Sequence, residues 1–250
     1  MENNSLVSVI TPMHNSGRYI LDTIESVKNQ TYKNWEMIII DDCSTDNSVE
    51  LVKKYIQSDE RIKLIRLEEN VGVAKARNKG IENSKGRYLA FLDSDDLWLP
   101  DKLNKQIKFM QSKKVSFCYT ACSVIDENSV ATGKVRHVPP IVDYHKILRG
   151  NDIACLTVVI DKYIIPDVKM PDIKHEDYVT WVNILKNDIV AFGIDEVLAR
   201  YRVARKSESG NKLKAATWQW KIYRKTLNLP IFSSVFYFCC YVFNAIAKRI

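Results

Sequence analysis

Arg87-Tyr-Leu-Ala-Phe-Leu-Asp-Ser-Asp-Asp96 decides the reading of this chain. The apolar run up to Leu92 has the length of a buried strand, and the last four residues carry three carboxylates. Such a stretch builds a core badly, but it can hold a divalent cation against a diphosphate. A second apolar run, Met37-Ile-Ile-Ile40, also ends on a carboxylate pair, Asp41-Asp42. Near-continuous apolar strands belong to parallel sheets covered on both faces. Those sheets bind ligands in the crevice outside the carboxyl ends of their strands, so both acidic pairs are expected at one crevice.

Outward from these runs, the first hundred residues alternate strand and helix patterns, which predicts βαβ units. Strands are expected at residues 6–11, 36–40, 63–67 and 87–92, with helices at 17–30, 44–58 and 73–83 between them. Ile20, Leu21, Ile24 and Val27 fall on one helical stripe. Asp46 and Ser48 stand where a helix N-cap would follow the Asp41-Asp42 strand end, and Pro100 suits the first turn of a helix over 101–112. Further on, 115–125 and 153–160 read as strands, 176–186 as a helix, and 189–192 and 196–201 as two short strands. Pro139-Pro140 and weak periodicity make 126–150 a variable loop. Asn70-Val-Gly72 and Lys85-Gly86 are turn signals; no GxGxxG or Walker pattern occurs in the chain.

With 250 residues the chain is long enough to bury a full core. Its six cysteines include no CxxC pair and its N-terminus carries no secretory pattern, so a reducing cytosol without disulfides is expected. The four histidines and the cysteines show no zinc-ligand spacing. The net charge of +7 is uneven: residues 200–225 carry nine Lys/Arg against Glu208 alone. A basic helix over 210–229 with Trp218, Trp220 and Tyr223 is followed by 231–247, seventeen residues without a charge. At ~1.5 Å per residue this run reaches about 25 Å, short of the ~30 Å hydrocarbon core. Peripheral or partly inserted attachment to an anionic membrane, a true span, and a helix packed in an oligomer are all compatible with it. A nucleic-acid tail would be polar throughout, so nucleic acid is not expected as a partner.

Taken together the motifs resemble the inverting family 2 glycosyltransferases of the GT-A nucleotide-sugar fold. The resemblance is carried by Val7-Ser-Val-Ile-Thr-Pro-Met-His-Asn15, Ser26-Val-Lys-Asn-Gln-Thr-Tyr32, Ile38-Ile-Ile-Asp-Asp-Cys-Ser-Thr-Asp46, Gly72-Val-Ala-Lys-Ala-Arg-Asn-Lys-Gly80 and Phe91-Leu-Asp-Ser-Asp-Asp96. It thins beyond residue 100 to His175-Glu-Asp177 with Trp181 and to Tyr201-Arg202, and it has no counterpart after about residue 210. It implies an α/β GT-A single domain over 1–209, with a Rossmann-like, mostly parallel central sheet and flanking helices. Within that domain 1–100 would be the nucleotide-binding half and 101–209 the acceptor and base half, with 210–250 a basic, then apolar, helical tail that associates with membrane.

The resemblance also implies the site. Asp93-Ser-Asp95 matches the family's DxD, in which Asp95 would ligate Mn²⁺ or Mg²⁺ and Asp93 would reach the ribose or a metal-bound water. Asp42 matches the position that hydrogen-bonds the nucleobase, with Asp41 as support, although a plain helix cap is the alternative. The turn from Pro12 to Asn15 would lie against base and ribose, and Arg77 and Asn78 match a pair facing the nucleotide. Asp177 matches the general base, a role one carboxylate can fill in direct displacement; acidic residues also favour helix N-termini for dipole reasons alone. Arg200-Tyr-Arg202 through Ser209 is polar and basic and matches a region, Arg202 included, that the family often uses as a lid over the diphosphate; a solvated basic loop without a ligand is the alternative. The implied activity is transfer of a hexose, by default from a UDP-sugar, to a glycan hydroxyl. The acceptor would be an undecaprenyl-diphosphate-linked sugar of bacterial O-antigen or capsule synthesis, met on the cytoplasmic face of the cell membrane. The competing reading is a membrane-attached, non-catalytic sugar-nucleotide-binding protein.

Overall fold

The runs read as strands do pair in parallel. In the computed structural model, which describes residues 4–203 and 212–247, β1 (Val7–Met13) lies between β2 (Trp35–Asp41) and β4 (Tyr88–Phe91), and β3 (Ile62–Arg66) lies outside β2. Helices α1 (Ile20–Lys28), α2 (Ser48–Ile56) and α3 (Val73–Glu82) make the crossovers. Side chains alternate across the pleat, and the two faces are covered by different helices. Val9, Met37 and Ile39 meet Ile20, Ile24 and Val52 of α1 and α2. Ile10, Ile38 and Ile40 meet Ala74, Ala76 and Ile81 of α3. α3 lies close because Gly80 has no side chain: a Cβ there would stand 2.6 Å from side-chain atoms of Ile10 and Ile40.

The sheet continues past β4 with β9 (Val159–Asp161), antiparallel to both neighbours, then β6 (Phe117–Ile125), β10 (Ala191–Arg202) and the short β5 (Leu97–Trp98). β6 and β10 keep the direction of β1–β4, so the carboxyl ends of six strands lie along one side. α4 (Lys102–Lys113) lies on the same face as α1 and α2, over β6 and β10, with Leu103, Ile107 and Met110 in the shared core. α6 (Glu176–Leu185) shares the α3 face, with Trp181 fully buried between the rings of Phe91 and Phe117 at 5.7 and 5.3 Å.

Three local expectations are corrected. Residues 126–150 are not loop throughout: β7 (Ala131–Arg136) forms a hairpin with β6, β8 (Ile141–Val142) pairs with β10, and α5 (Tyr144–Ile147) is capped by the Asp143 carboxylate, which accepts from the Lys146 N–H at 2.7 Å. β7 is exposed along its whole length, so no apolar face marked it in the sequence. The expected strand 153–160 is a 3₁₀ turn, Cys155–Thr157, followed by β9. The two strands at 189–192 and 196–201 are one, β10, with shifted register between Ile194 and Ala199.

The tail folds back onto the body. α7 (Lys212–Lys221) runs into a π-helical turn, Ile222–Thr226, and buried Ile222, Tyr223 and Leu229 join the core on the α3–α6 face. α8 (Ile231–Ala247) docks through Ser234, Tyr237 and Phe238, with the Phe238 ring edge-on to Trp220 at 5.4 Å. Its other side leaves Phe232, Phe236 and Phe243 exposed at 87, 54 and 72%. Among the described residues no helix is long and apolar enough to cross a membrane.

Candidate active site

At the carboxyl ends of the strands two clefts meet. The smaller, about 300 Å³, is lined by Pro12, His14, Asp42, Arg77, Asp93 and Asp95. The larger, about 790 Å³, is lined by Thr120, Arg136, Asp152, Cys155, Asp177 and Tyr201, and it shares Arg77, Asp93 and Glu176 with the first. Those three side chains are joined: the Arg77 guanidinium donates to Asp93 and to Glu176, each at 2.5 Å. Arg77 is 5% exposed. Burial works against its charge, but Asp93 and Glu176 outweigh that and raise its pKa, so it stays a cation.

Asp42 directly follows β2, and its two carboxylate oxygens accept the backbone N–H groups of Val71 (2.7 Å) and Gly72 (2.9 Å). Gly72 sits at φ +86°, a conformation that side chains avoid, so the turn bringing both amides to Asp42 requires glycine. A carboxylate has about four acceptor sites, and Asp42 therefore keeps capacity toward the cleft it lines. Asp41 is fully buried and supports the turn by accepting from the Ser44 N–H and from Arg66. His14, within the Pro12–Asn15 turn, donates at Nδ1 to the Asp42 carbonyl at 2.7 Å.

Asp95 is pushed up to about 6, first by burial and then by the charge of Asp93. Burial likewise raises Asp96, with Asp95 and Asp93 adding to it. The cluster thus holds more negative charge than Arg77 and the backbone N–H of Arg202 on Asp96 relieve. A divalent cation fits this donor set: two hard carboxylates, Asp93 and Asp95, leave the remaining positions to phosphate oxygens and water, which is how Mg²⁺ and its like are commonly held. Among the described residues no cluster of three or more His, Cys, Asp or Glu ligands is present, so the protein alone does not form a full cage.

Asp177 stands in the first turn of α6, one residue past Glu176, and opens onto the larger cleft. Its Oδ1 accepts its neighbour Tyr178 N–H at 2.7 Å. Burial raises its pKa, offset in part by Arg77. His175 precedes it at φ +60° and turns the chain sharply into the helix.

Three predicted site residues sit differently from expectation. Asn78 does not face the nucleotide cleft; one turn face round α3 from Arg77, its amide clamps Met170 by donating to the carbonyl (2.7 Å) and accepting from the N–H (2.8 Å). Asn15 lies outside the cleft lining, where its side-chain oxygen accepts the Thr45 and Asp46 N–H groups and closes the turn after β2. Arg202 is not on a loop but is the buried last residue of β10, donating to the carbonyls of Asp95 (2.6 Å) and Asp126 (3.2 Å) and to Ser129, with its guanidinium over the Tyr19 ring. The rest of the expected lid, residues 204–209, lies outside the described residues.

The family model described as Glycosyl transferase family 2 matches residues 8–161. TuaG of Bacillus subtilis, named for teichuronic acid biosynthesis, is 44% identical over 98% of this chain and 98% of its own length. The Escherichia coli UDP-Glc:alpha-D-GlcNAc-diphosphoundecaprenol beta-1,3-glucosyltransferase WfgD is 38% identical over 98% of this chain and 95% of its own. Among solved structures, Staphylococcus aureus TarS 1–349 in complex with UDP-GlcNAc superposes with a TM-score of 0.69 at 21% identity, over 88% of this chain and 66% of that one. The Pyrobaculum calidifontis mannosyltransferase PcManGT, in complex with GDP-Man and Mn²⁺, gives 0.69 at 18% identity, over 90% and 64%. At those identities the two structures establish the fold alone, a GT-A-like mixed α/β domain.

Proposed function

This chain belongs to glycosyl transferase family 2 and is a glycosyltransferase; from that premise we propose that it moves a hexose from a UDP-sugar to a hydroxyl of a lipid-diphosphate-linked glycan, with inversion. One observation carries the reading: the nucleotide-sized cleft with Asp42, Asp93 and Asp95 and the wider cleft with Asp177 share a wall of Arg77, Asp93 and Glu176. A donor whose diphosphate lay at the acidic cluster would therefore present its sugar to the cleft that holds the base. A membrane-attached binding protein without activity would have no use for that second cleft or for the half-buried Asp177 carboxylate lining it.

In the proposed reaction the acceptor oxygen attacks the anomeric carbon while the bond from that carbon to the phosphate oxygen breaks, its electron pair leaving with the nucleoside diphosphate. Asp177 takes the hydroxyl proton as the attack proceeds, and its raised pKa makes it a stronger base than an exposed carboxylate. The configuration inverts, so an α-linked donor gives a β-linkage. Mn²⁺ or Mg²⁺ held by Asp93 and Asp95 would neutralise charge on the departing diphosphate. Asp42, held by two backbone N–H groups, would orient the base; Pro12 would pack beside it; Arg77 would fix Asp93 and Glu176 at the junction. Arg202 supports the Asp95–Asp96 turn from beneath. Asn15 and Asn78 serve the same site indirectly, by holding the 44–46 turn and the Met170 segment.

The acceptor class is supported by the WfgD name and by the tail. Exposed Phe232, Phe236 and Phe243 on α8, in a chain whose residues 200–225 are strongly basic in sequence, suit a peripheral seat on an anionic bilayer, which would be the cytoplasmic leaflet for a nucleotide-sugar enzyme. The test is direct: incubate the chain with Mn²⁺, each of UDP-, GDP- and dTDP-hexose, and an isoprenyl-diphosphate-linked GlcNAc, and read products by mass spectrometry. Transfer from a UDP-hexose is expected. Transfer only from another nucleotide would overturn the donor, and transfer only to phosphate-free acceptors would overturn the acceptor class.

A further inference from the structure

A third cleft, about 590 Å³, lies beside the acceptor cleft and has no part in the chemistry above. Its walls are His145, Lys146 and Arg149 from the α5 segment, Asn244 of α8, and Asp143 and Asp152. Asp152 is also part of the acceptor cleft, so the chain from Arg149 to Asp152 leads from one into the other. We propose that this cleft binds the diphosphate of the lipid-linked acceptor, with Lys146 and Arg149 as the phosphate ligands. This rests on the reading that the acceptor is a lipid diphosphate and goes beyond it by giving the headgroup a place.

The geometry favours that occupant in four ways. Neither Lys146 nor Arg149 is paired with a carboxylate among the described residues, so both cations are available to an anion. Asp143, one of the two acids in the lining, is engaged by the Lys146 N–H at 2.7 Å. The site is built rather than incidental: Asn244 Nδ2 donates to the Arg149 carbonyl at 3.0 Å, and His145 Nδ1 meets the Tyr237 hydroxyl at 2.7 Å, so α8 fixes the α5 segment from two positions a few turns apart. The exposed apolar side of α8 carries Phe243, the neighbour in sequence of Asn244, so an apolar side chain lies one residue from the cleft that holds Lys146 and Arg149. A lipid diphosphate has that same order of parts, acyl chain, diphosphate, glycan, and the glycan would run past Asp152 toward Asp177. An anionic phospholipid headgroup would satisfy the cations, but it has no glycan to occupy the connection to the acceptor cleft.

The test uses the full chain and Lys146→Gln with Arg149→Gln in one variant; both side chains lie at least partly in solvent, so folding is expected to survive. Binding of geranyl diphosphate, a short soluble isoprenyl diphosphate, is measured by calorimetry in metal-free buffer with saturating UDP present. Binding that persists alongside UDP and weakens about tenfold or more in the variant is expected, the size for loss of charge-assisted contacts to phosphate. Unchanged binding in the variant, or binding that UDP abolishes, overturns the proposal. In transfer assays the variant should lose the preference for an isoprenyl-diphosphate-linked sugar over its alkyl glycoside, through KM rather than kcat. An equal loss on both acceptors would mean a structural role and would also overturn it. If the wild type binds geranyl diphosphate in this cleft yet glycosylates only the alkyl glycoside, the acceptor reading has failed while the anion site stands. If the double variant instead loses only its flotation with anionic vesicles, the cleft is a phospholipid contact and the proposal fails.

Discussion

Asp93, Asp95 and Asp177 lie within a few residues of two turns, yet they are expected to fail differently when changed. Asp95→Asn removes a charge from a cluster that burial already strains, so it should abolish the Mn²⁺-dependent part of UDP binding while the metal-free fold is kept or stabilised. A thermal-shift series of UDP with and without Mn²⁺ reads this directly, since ligand stabilisation follows RT ln(1 + [L]/Kd). Retention of the metal-dependent shift would remove Asp95 from the site. Asp177→Asn keeps shape and hydrogen bonding to Tyr178, so UDP-sugar affinity should hold while turnover falls by ~10²–10⁴, the usual size of a general-base contribution. Reduced donor affinity with intact turnover would exclude Asp177 as the base. In the core, Trp181→Ala empties the space between Phe91 and Phe117, which should cost about 3–5 kcal/mol in denaturant unfolding. A loss under about 1 kcal/mol would mean the rings collapse onto the gap.

Among the elements, α8 makes the sharpest prediction because its two sides differ. Tyr237 and Phe238 hold it to the body, whereas Phe232, Phe236 and Phe243 face outward. Deleting the helix would bare Trp220 and Tyr223, so point changes are the better test. Phe232→Ser, Phe236→Ser and Phe243→Ser together should leave the thermal midpoint near wild type but end flotation with anionic vesicles. Wild-type flotation should weaken at high salt as the Lys/Arg attraction is screened. A triple variant that floats unchanged, or that unfolds, would show that this side of α8 packs against protein instead.

For the molecule as a whole, the proposed cation site would tie function to pH. Asp95 has its folded pKa raised to about 6 from the ordinary carboxylate value, so between those two values the folded chain holds a proton that the unfolded chain has released. Stability from this group is therefore greatest at low pH and lost as pH rises through about 6. Cation binding at the proposed site would run the opposite way, because only the ionised carboxylate is a ligand. The Mn²⁺-dependent thermal shift with UDP should accordingly grow as pH rises through about 6, and a shift independent of pH from 5 to 7.5 would contradict it. The strands β1–β4, the helices between them and the acidic strand ends were legible because each rests on short-range patterning: apolar runs, helical stripes, turn residues. The sequence by itself thus determined a parallel α/β sheet with carboxylates along one edge, and the family to which five ordered motifs point. Only the tertiary structure decided that Arg77 joins Asp93 and Glu176, 16 and 99 residues away, that Asn78 turns to Met170, and that Arg202 is buried under Asp95. Tertiary structure also decided that the tail docks by one side of α8 and walls a cleft with residues some 95 positions earlier. The physical reason is range: periodicity reports which face of an element is apolar, whereas the partner of a charged or amide group is fixed only when packing brings distant elements together.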